Sequence, residues 1–365
     1  MRIAQVAPLY ESVPPKLYGG TERVVSWLTE ELVRDGHEVT LFASGDSLTT
    51  ARLVAPCKKA LRLDPDCVDQ VAHHIIMLDQ VFSEEKNFDI IHYHVDYLHF
   101  PFSRQHQVAT VTTLHGSLDL PDLVPVYQHF KAVPVISISD AQREPIPWAN
   151  WQGTVHHGMP RNYFPLGNGK GGYLAFLGRT SPEKGLDQAI EIAKRAGVPL
   201  KIAAKIDRVD VGYFEAVIEP MLDHPLIEFI GEIGQSEKGA FLGNAAGLLF
   251  PINWREPFGL VMIEAMACGT PVIAYPMGSV PEVIQDGITG FLVHDVEGAL
   301  KAVNRLGEIN RRKCQWQCEQ YFNAERMAQD YLNIYRRMTR SESPSIPVSD
   351  GVLSCLKIAS HNSTT

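Results

Sequence analysis

No stretch of the 365 residues approaches about 18 uninterrupted apolar side chains, so no membrane-spanning helix is expected. The opening residues, MRIAQVAPLY, lack the long apolar core of a secretion signal and read as a short buried strand. Cysteine is sparse: Cys57, Cys67, Cys268, Cys314, Cys318 and Cys355 are scattered, which excludes a disulfide framework and points to a reduced, cytoplasmic setting. Basic charge is not in excess. Lys and Arg number 33 against 42 acidic residues, a net charge of −9 that argues against nucleic-acid binding and leaves room for a local basic pocket. No internal repeat is found. Lys170 lacks the spacing of a P-loop and no Ser or Thr follows it. Gly167, Gly169 and Gly172 match G-x-G-x-x-G, but they precede a strand, whereas a dinucleotide fingerprint follows a strand and opens a helix.

What is present is an α/β pattern in a chain long enough for two domains. In the first half RIAQVA, HEVTLFA, DIIHYH, VATVTTLH and VPVISIS read as strands, with an amphipathic helix over Thr21 to Arg34. In the second half YLAFLG, LKIAA, LIEFIG, GLLFPI and PVIAY alternate with helices over Lys184–Arg195, Tyr213–Leu222, Glu237–Asn244 and Pro257–Cys268. Two doubly wound Rossmann-like domains facing a cleft follow, over residues 1–160 and 173–322. The Gly- and Pro-rich segment Pro160–Gly172 reads as linker and hinge. A helix over 323–340 carries Met327, Tyr331, Ile334 and Tyr335 at helical spacing, and 341–365 reads as a flexible tail.

Ligands of such sheets bind beyond the carboxyl ends of the strands, and three constellations lie there. Glu256-Pro-Phe-Gly-Leu-Val-Met-Ile-Glu264 places one carboxylate before a helix and one inside it. The amides of Phe258, Gly259 and Leu260 form an unsatisfied helix start that attracts phosphate or sugar oxygens. A solvated Glu and a helical Glu making surface pairs fit the spacing as well. Arg179 and Lys184, in GRTSPEKG, stand close enough to clamp one diphosphate, although two surface cations beside a helix start would look the same. Gly19 and Gly20 open the first helix, where a backbone can approach a ligand or simply turn. Metal sets are weaker. Asp64 and Asp66 read as loop acids, with Asp66 capping the next helix. His92, His94 and Asp96 alternate on one strand face without a further ligand cluster, and Cys314 with Cys318 lacks a second pair.

Taken together, Tyr18-Gly-Gly-Thr-Glu-Arg, Thr113-Leu-His-Gly116, Gly178–Gly185, Glu256–Glu264 and CGTPVIAYPMGSVPEVIQDGITGFLV resemble the retaining glycosyltransferases of family 4, which have the GT-B fold. The resemblance implies metal-independent transfer of a sugar, a hexose by expectation, from a UDP-sugar or GDP-sugar to an unidentified acceptor, with no cofactor. It implies that Arg179 and Lys184 stabilise the departing diphosphate, Glu256 binds donor-sugar hydroxyls, and His115 faces the donor sugar. Glu264 would bind the ribose, the backbone near Ile233 the base, and Gly19 and Gly20 the diphosphate side, beside Phe258, Gly259 and Leu260. Lys205 stands where the family has a glycine turn and is a candidate for a further phosphate contact. His157-Gly158 replaces the family's common Asn-Gly. A nucleotide-sugar epimerase and a non-catalytic nucleotide-sugar binder are the alternatives. The epimerase needs an acid/base set around the sugar, and no distinct one is visible in the sequence.

Overall fold

The computed structural model describes residues 1–341; the tail expected to be flexible lies outside the described residues apart from Ser341. Among the described residues, seven parallel strands form the first sheet in the order β3-β2-β1-β4-β5-β6-β7. They are β1 (Arg2–Val6), β2 (Glu38–Phe42), β3 (Arg52–Val54), β4 (Ile90–Tyr93), β5 (Ala109–Thr113), β6 (Pro134–Ser137) and β7 (Asn150–Thr154). The second sheet holds six parallel strands in the order β10-β9-β8-β11-β12-β13. These are β8 (Leu174–Arg179), β9 (Leu200–Lys205), β10 (Ile227–Gly231), β11 (Gly247–Phe250), β12 (Val272–Ala274) and β13 (Gly290–Leu292). Central strands such as β4 and β11 are buried along their whole length, which accounts for unbroken apolar runs in place of alternation.

Several local features depart from expectation for identifiable reasons. The helix expected from Pro257 begins at Leu260, because Gly259 turns left-handed (φ 77°) and delays the first helical turn. The helix expected from Lys184 begins at Leu186, after a tight turn over Pro182–Lys184. Gly185 joins the two at φ 68°, where a Cβ would lie 2.0 Å from the Pro251 carbonyl oxygen. Helix Gln70–Ser83 is capped by Asp69, whose carboxylate accepts the amides of Val71 and Ala72. Asp66 does not cap it, and the Asp66 amide instead donates to Asp64.

The segment expected to be the hinge is fastened along much of its length to the second domain. The amides of Gly167, Gly169 and Gly171 donate to the carbonyls of Cys268, Gly243 and Asn244. Arg311 bonds the carbonyls of Gly167, Gly243 and Ala245 and the hydroxyl of Thr270. The chain crosses between domains at Met159, and it returns beside the same point at Asn323, the two forming an isolated parallel bridge. Gly158 allows that approach, since a Cβ there would sit 2.1 Å from the Asn323 carbonyl oxygen. The last helix, Ala324–Ser341, then packs against helix Gly20–Arg34 of the first domain and buries Met327, Tyr331, Leu332 and Tyr335.

Candidate functional site

The two sheets present their carboxyl ends to one cavity of about 490 Å³, lined from both domains. β8 delivers Arg179, the segment after β11 delivers Trp254 and Glu256, and the turn before helix Leu186–Ala196 delivers Lys184. From the first domain come Gly19 and Gly20 after β1, Asp96 after β4, His115 after β5 and His157 after β7.

The second-domain wall is a set of oriented charges. Lys184 Nζ lies 2.6 Å from Glu256 Oε2, and Trp254 Nε1 donates to the same oxygen at 3.0 Å. The ammonium also sits 4.4 Å from the centre of the Trp254 ring. Glu256 is 7% exposed, and Oε1 has no hydrogen-bond partner among the described residues. Gly278 adopts φ 59° against the Glu256 backbone, where a Cβ would meet the Glu256 carbonyl oxygen at 2.4 Å. Arg179 pairs with Glu183 at 2.7 Å and lies 3.0 Å from Asp210. Both candidate clamp cations therefore hold acidic partners that an entering diphosphate would have to outbid.

An adjoining recess of about 110 Å³ is lined by Gly20, Lys205, Ile233, Leu260 and Glu264. Glu264 is buried and receives Lys238 Nζ at 2.8 Å on Oε1. Lys205 reaches Asp207 at 3.5 Å and lies 5.4 Å from the centre of the Tyr18 ring. The Tyr18 amide donates to Glu232 at 3.1 Å, joining the two domains across the recess. A second bridge is Glu282, which accepts the amides of Asp140 and Ala141 and meets His156 Nε2 at 2.8 Å.

The first-domain wall carries Glu22, Asp96 and His115, of which Glu22 alone has no role in the sequence reading. Glu22, inside the Tyr18–Arg23 motif, is buried, and burial pushes its carboxyl up to about 7. Burial likewise raises Asp96 to about 6, against the hydrogen bond that it accepts from the His115 amide. Asp96 holds a left-handed backbone (φ 49°), rare for a residue other than glycine. His115 faces the cleft with its ring stacked 5.3 Å from His157, and burial pushes its imidazole down to about 3.

Every site residue expected from the sequence lines one of these two spaces. Arg179, Lys184, Glu256, His115, Phe258 and Gly259 line the cavity, Ile233, Lys205 and Glu264 the recess, and Gly19, Gly20 and Leu260 both. The Phe258 ring is itself packed against His157 and Phe322, so it shapes the wall from within the core. Gly19 serves its tight approach through φ 153°, and a Cβ there would lie 2.7 Å from Pro15 Cβ. His92 and His94, weighed as metal ligands, are bonded to protein groups: His92 to Tyr335 and Thr113, His94 to Gln5 and His115. Lys238, Trp254, Glu22 and Glu282 were not foreseen. Glu22 carried a signal, an acid near a glycine turn, and Trp254 stands two residues before Glu256, while Lys238 and Glu282 depend on long-range packing.

The family model described as "Glycosyl transferases group 1" matches residues 164–318, and the model "Glycosyltransferase Family 4" matches residues 18–144. Among curated relatives, an uncharacterized 41.2 kDa protein in the cps region of Klebsiella pneumoniae is 31% identical over 170 residues, covering 45% of this chain and 46% of that protein. D-inositol 3-phosphate glycosyltransferase of Mycobacterium leprae is 33% identical over 151 residues, covering 37% of this chain and 33% of that protein. The chain thus matches less than half the length of these curated relatives. Among solved structures, sucrose-phosphate synthase from Thermosynechococcus elongatus superposes with a TM-score of 0.77 at 18% identity, covering 93% of this chain and 100% of that one. Anabaena HepE in complex with UDP-glucose gives 0.69 at 17% identity, covering 92% and 100%. At such identities the likeness is one of fold.

Proposed function

The chain belongs to the group 1 glycosyltransferases of family 4, and we propose on that footing that it transfers a hexosyl group from a nucleoside diphosphate sugar to an acceptor hydroxyl, with retained anomeric configuration and without a metal. The observation that carries the reading is Glu256. Its Oε2 is fixed by Lys184 and Trp254 while Oε1 keeps no protein partner among the described residues, so the carboxylate is oriented and still able to accept sugar hydroxyls.

Cleavage of the sugar–diphosphate bond leaves an anomeric carbon with oxocarbenium character and a leaving oxygen gaining negative charge. Arg179, Lys184 and the first amides of helix Leu260–Ala267, which has no side-chain cap, stand where that charge is offset. These cations supply the stabilisation that a divalent ion gives elsewhere. Glu264, oriented by Lys238, is assigned to the ribose, and the recess near Ile233 to the base. The acceptor approaches from the first-domain wall of Glu22, Asp96 and His115, and the departing phosphate takes its proton in a front-face reaction. A double displacement would need a protein nucleophile on the opposite face of the sugar from the leaving group, and Glu264 inside the helix beside the phosphate positions does not supply one.

The test is nucleotide release from UDP-glucose and, separately, GDP-mannose, with and without candidate acceptors, followed by NMR assignment of the product anomer. Release with a retained anomer supports the proposal. An inverted anomer, or free epimerised nucleotide sugar, overturns it.

A further inference from the structure

We propose that Gln5, acting through His94, fixes the tautomer of His115, so that the ring offers the donor sugar a bare hydrogen-bond acceptor and never a proton. The inference rests on the donor-site reading for what meets the ring, and on hydrogen-bond geometry together with burial for which nitrogen holds the proton.

The network starts at the returning helix Ala324–Ser341. Gln5 Nε2 donates to Tyr335 Oη at 3.1 Å, and that hydroxyl lies 2.6 Å from His92 Nδ1. His92 Nε2 is 2.7 Å from Thr113 Oγ1, which donates to Tyr331 Oη at 3.1 Å. With its amide nitrogen committed to Tyr335, Gln5 turns its carbonyl oxygen to His94, at 2.8 Å from Nε2. On its other side His94 Nδ1 meets His115 Nε2 at 2.9 Å. Gln5, His92 and His94 are 0 to 1% exposed, and among the described residues no carboxylate pairs with any of the three.

A carbonyl oxygen only accepts, so the 2.8 Å contact requires the His94 proton on Nε2. Burial pushes the His94 imidazole well below its ordinary range, so the ring is neutral and carries that proton alone. Nδ1 of His94 is then bare, and the 2.9 Å contact is a hydrogen bond only if His115 carries its own single proton on Nε2. Nδ1 of His115 is consequently a lone pair. Among the described residues, no chain group bonds it. Rotating the Gln5 amide by half a turn would reverse each of these bonds and make His115 a donor. One amide orientation therefore decides whether the cleft presents N: or N–H. As set, the site favours a sugar hydroxyl, which can donate to Nδ1, over a carboxylate, which cannot.

His115 is thus a sugar-positioning group and no general acid, while Gln5 and His94 are positioning residues acting through it. The test uses the full chain with 15N-labelled histidine, and long-range 1H–15N spectra that report which ring nitrogen is protonated. Protonated Nε2 with bare Nδ1 on both His94 and His115 is the expected result; a proton on His115 Nδ1 in the wild-type protein overturns the proposal. In Gln5→Met, His115 is expected to populate both tautomers, with kcat lowered about tenfold, the scale of one lost hydrogen bond, and an unchanged UDP dissociation constant. An unaltered His115 tautomer in that variant removes Gln5 from the role. Saturating UDP-glucose should shift the Nδ1 resonance while the proton stays on Nε2, and transfer of a proton to Nδ1 overturns the acceptor assignment. Failure of UDP-glucose to bind would count against the donor reading alone, since the free-protein spectra do not depend on it.

Discussion

Replacing Lys184 separates two roles that one side chain performs. In the folded chain its ammonium neutralises a carboxylate that is 7% exposed, and in the reaction it is proposed to stabilise the departing diphosphate. Stripping one partner from a buried pair costs roughly 3–5 kcal/mol. Two features reduce that figure here: the Lys184 side chain is 19% exposed, and the Trp254 N–H remains on Glu256 Oε2. Lys184→Ala is therefore expected to lower unfolding free energy by about 2 kcal/mol. Adding Glu256→Gln removes the orphaned charge and should restore about half of that loss. Turnover follows a different rule. Losing one charge-stabilising group at a leaving oxygen costs about 100-fold or more, roughly 3 kcal/mol of barrier, and the second substitution cannot return it. Urea denaturation and nucleotide release, measured on the two single variants and the double variant, give both quantities. Wild-type turnover in Lys184→Ala, or recovery of turnover in the double variant, would show that the pair is structural and would refute the clamp.

Arg179→Ala should also reduce turnover about 100-fold while nucleotide release from wild type survives EDTA; loss restored by Mg²⁺ or Mn²⁺ would return the metal question to the first-domain acids. Glu22 binds its proton more tightly in the folded chain than in the unfolded one, whose carboxyl titrates near 4.5, so its contribution to stability is full below that value and is lost as pH rises toward about 7. Glu22→Gln is expected to flatten the fall in stability between pH 5 and pH 8 by up to about 3 kcal/mol, and parallel denaturation profiles for the two proteins would contradict the buried carboxyl. Glu282→Ala removes three bonds between domains, and an increased radius of gyration by small-angle scattering is expected; an unchanged radius would mean that the cleft is held closed elsewhere.

The two-sheet architecture could be read from sequence because central parallel strands leave unbroken apolar runs such as DIIHYH and GLLFPI. The short edge strand β3 and the polar β7, NWQGT, leave no such trace. Helix starts at Gly185 and Gly259 depend on left-handed backbone, at places where a Cβ would collide with Pro251 or Met262, and neither crowding can be read locally from the sequence. Residues at the carboxyl ends of strands were legible as a group, since topology places them there whatever they contact. Their partners were not. Nothing local predicts that Lys238 orients Glu264, or that Tyr335, spaced as a core residue, spends its hydroxyl on His92 and Gln5.

The paired crossings at Met159 and Asn323 make the first domain discontinuous along the chain. Its sheet ends with β7, yet Tyr331 and Tyr335, which close the polar centre under β1, β4 and β5, come after the whole second sheet in the chain. The strands of the first sheet leave the ribosome before its final layer, with the whole second sheet between them in the chain. Until that layer emerges the first domain stands partly open, exposing the face of helix Gly20–Arg34 that the last helix covers. Dissection of the gene meets the same constraint. A fragment cut at 160 lacks its own capping helix, whereas a fusion of residues 323–341 through a linker to residues 1–160 would carry the whole first domain as one uninterrupted segment.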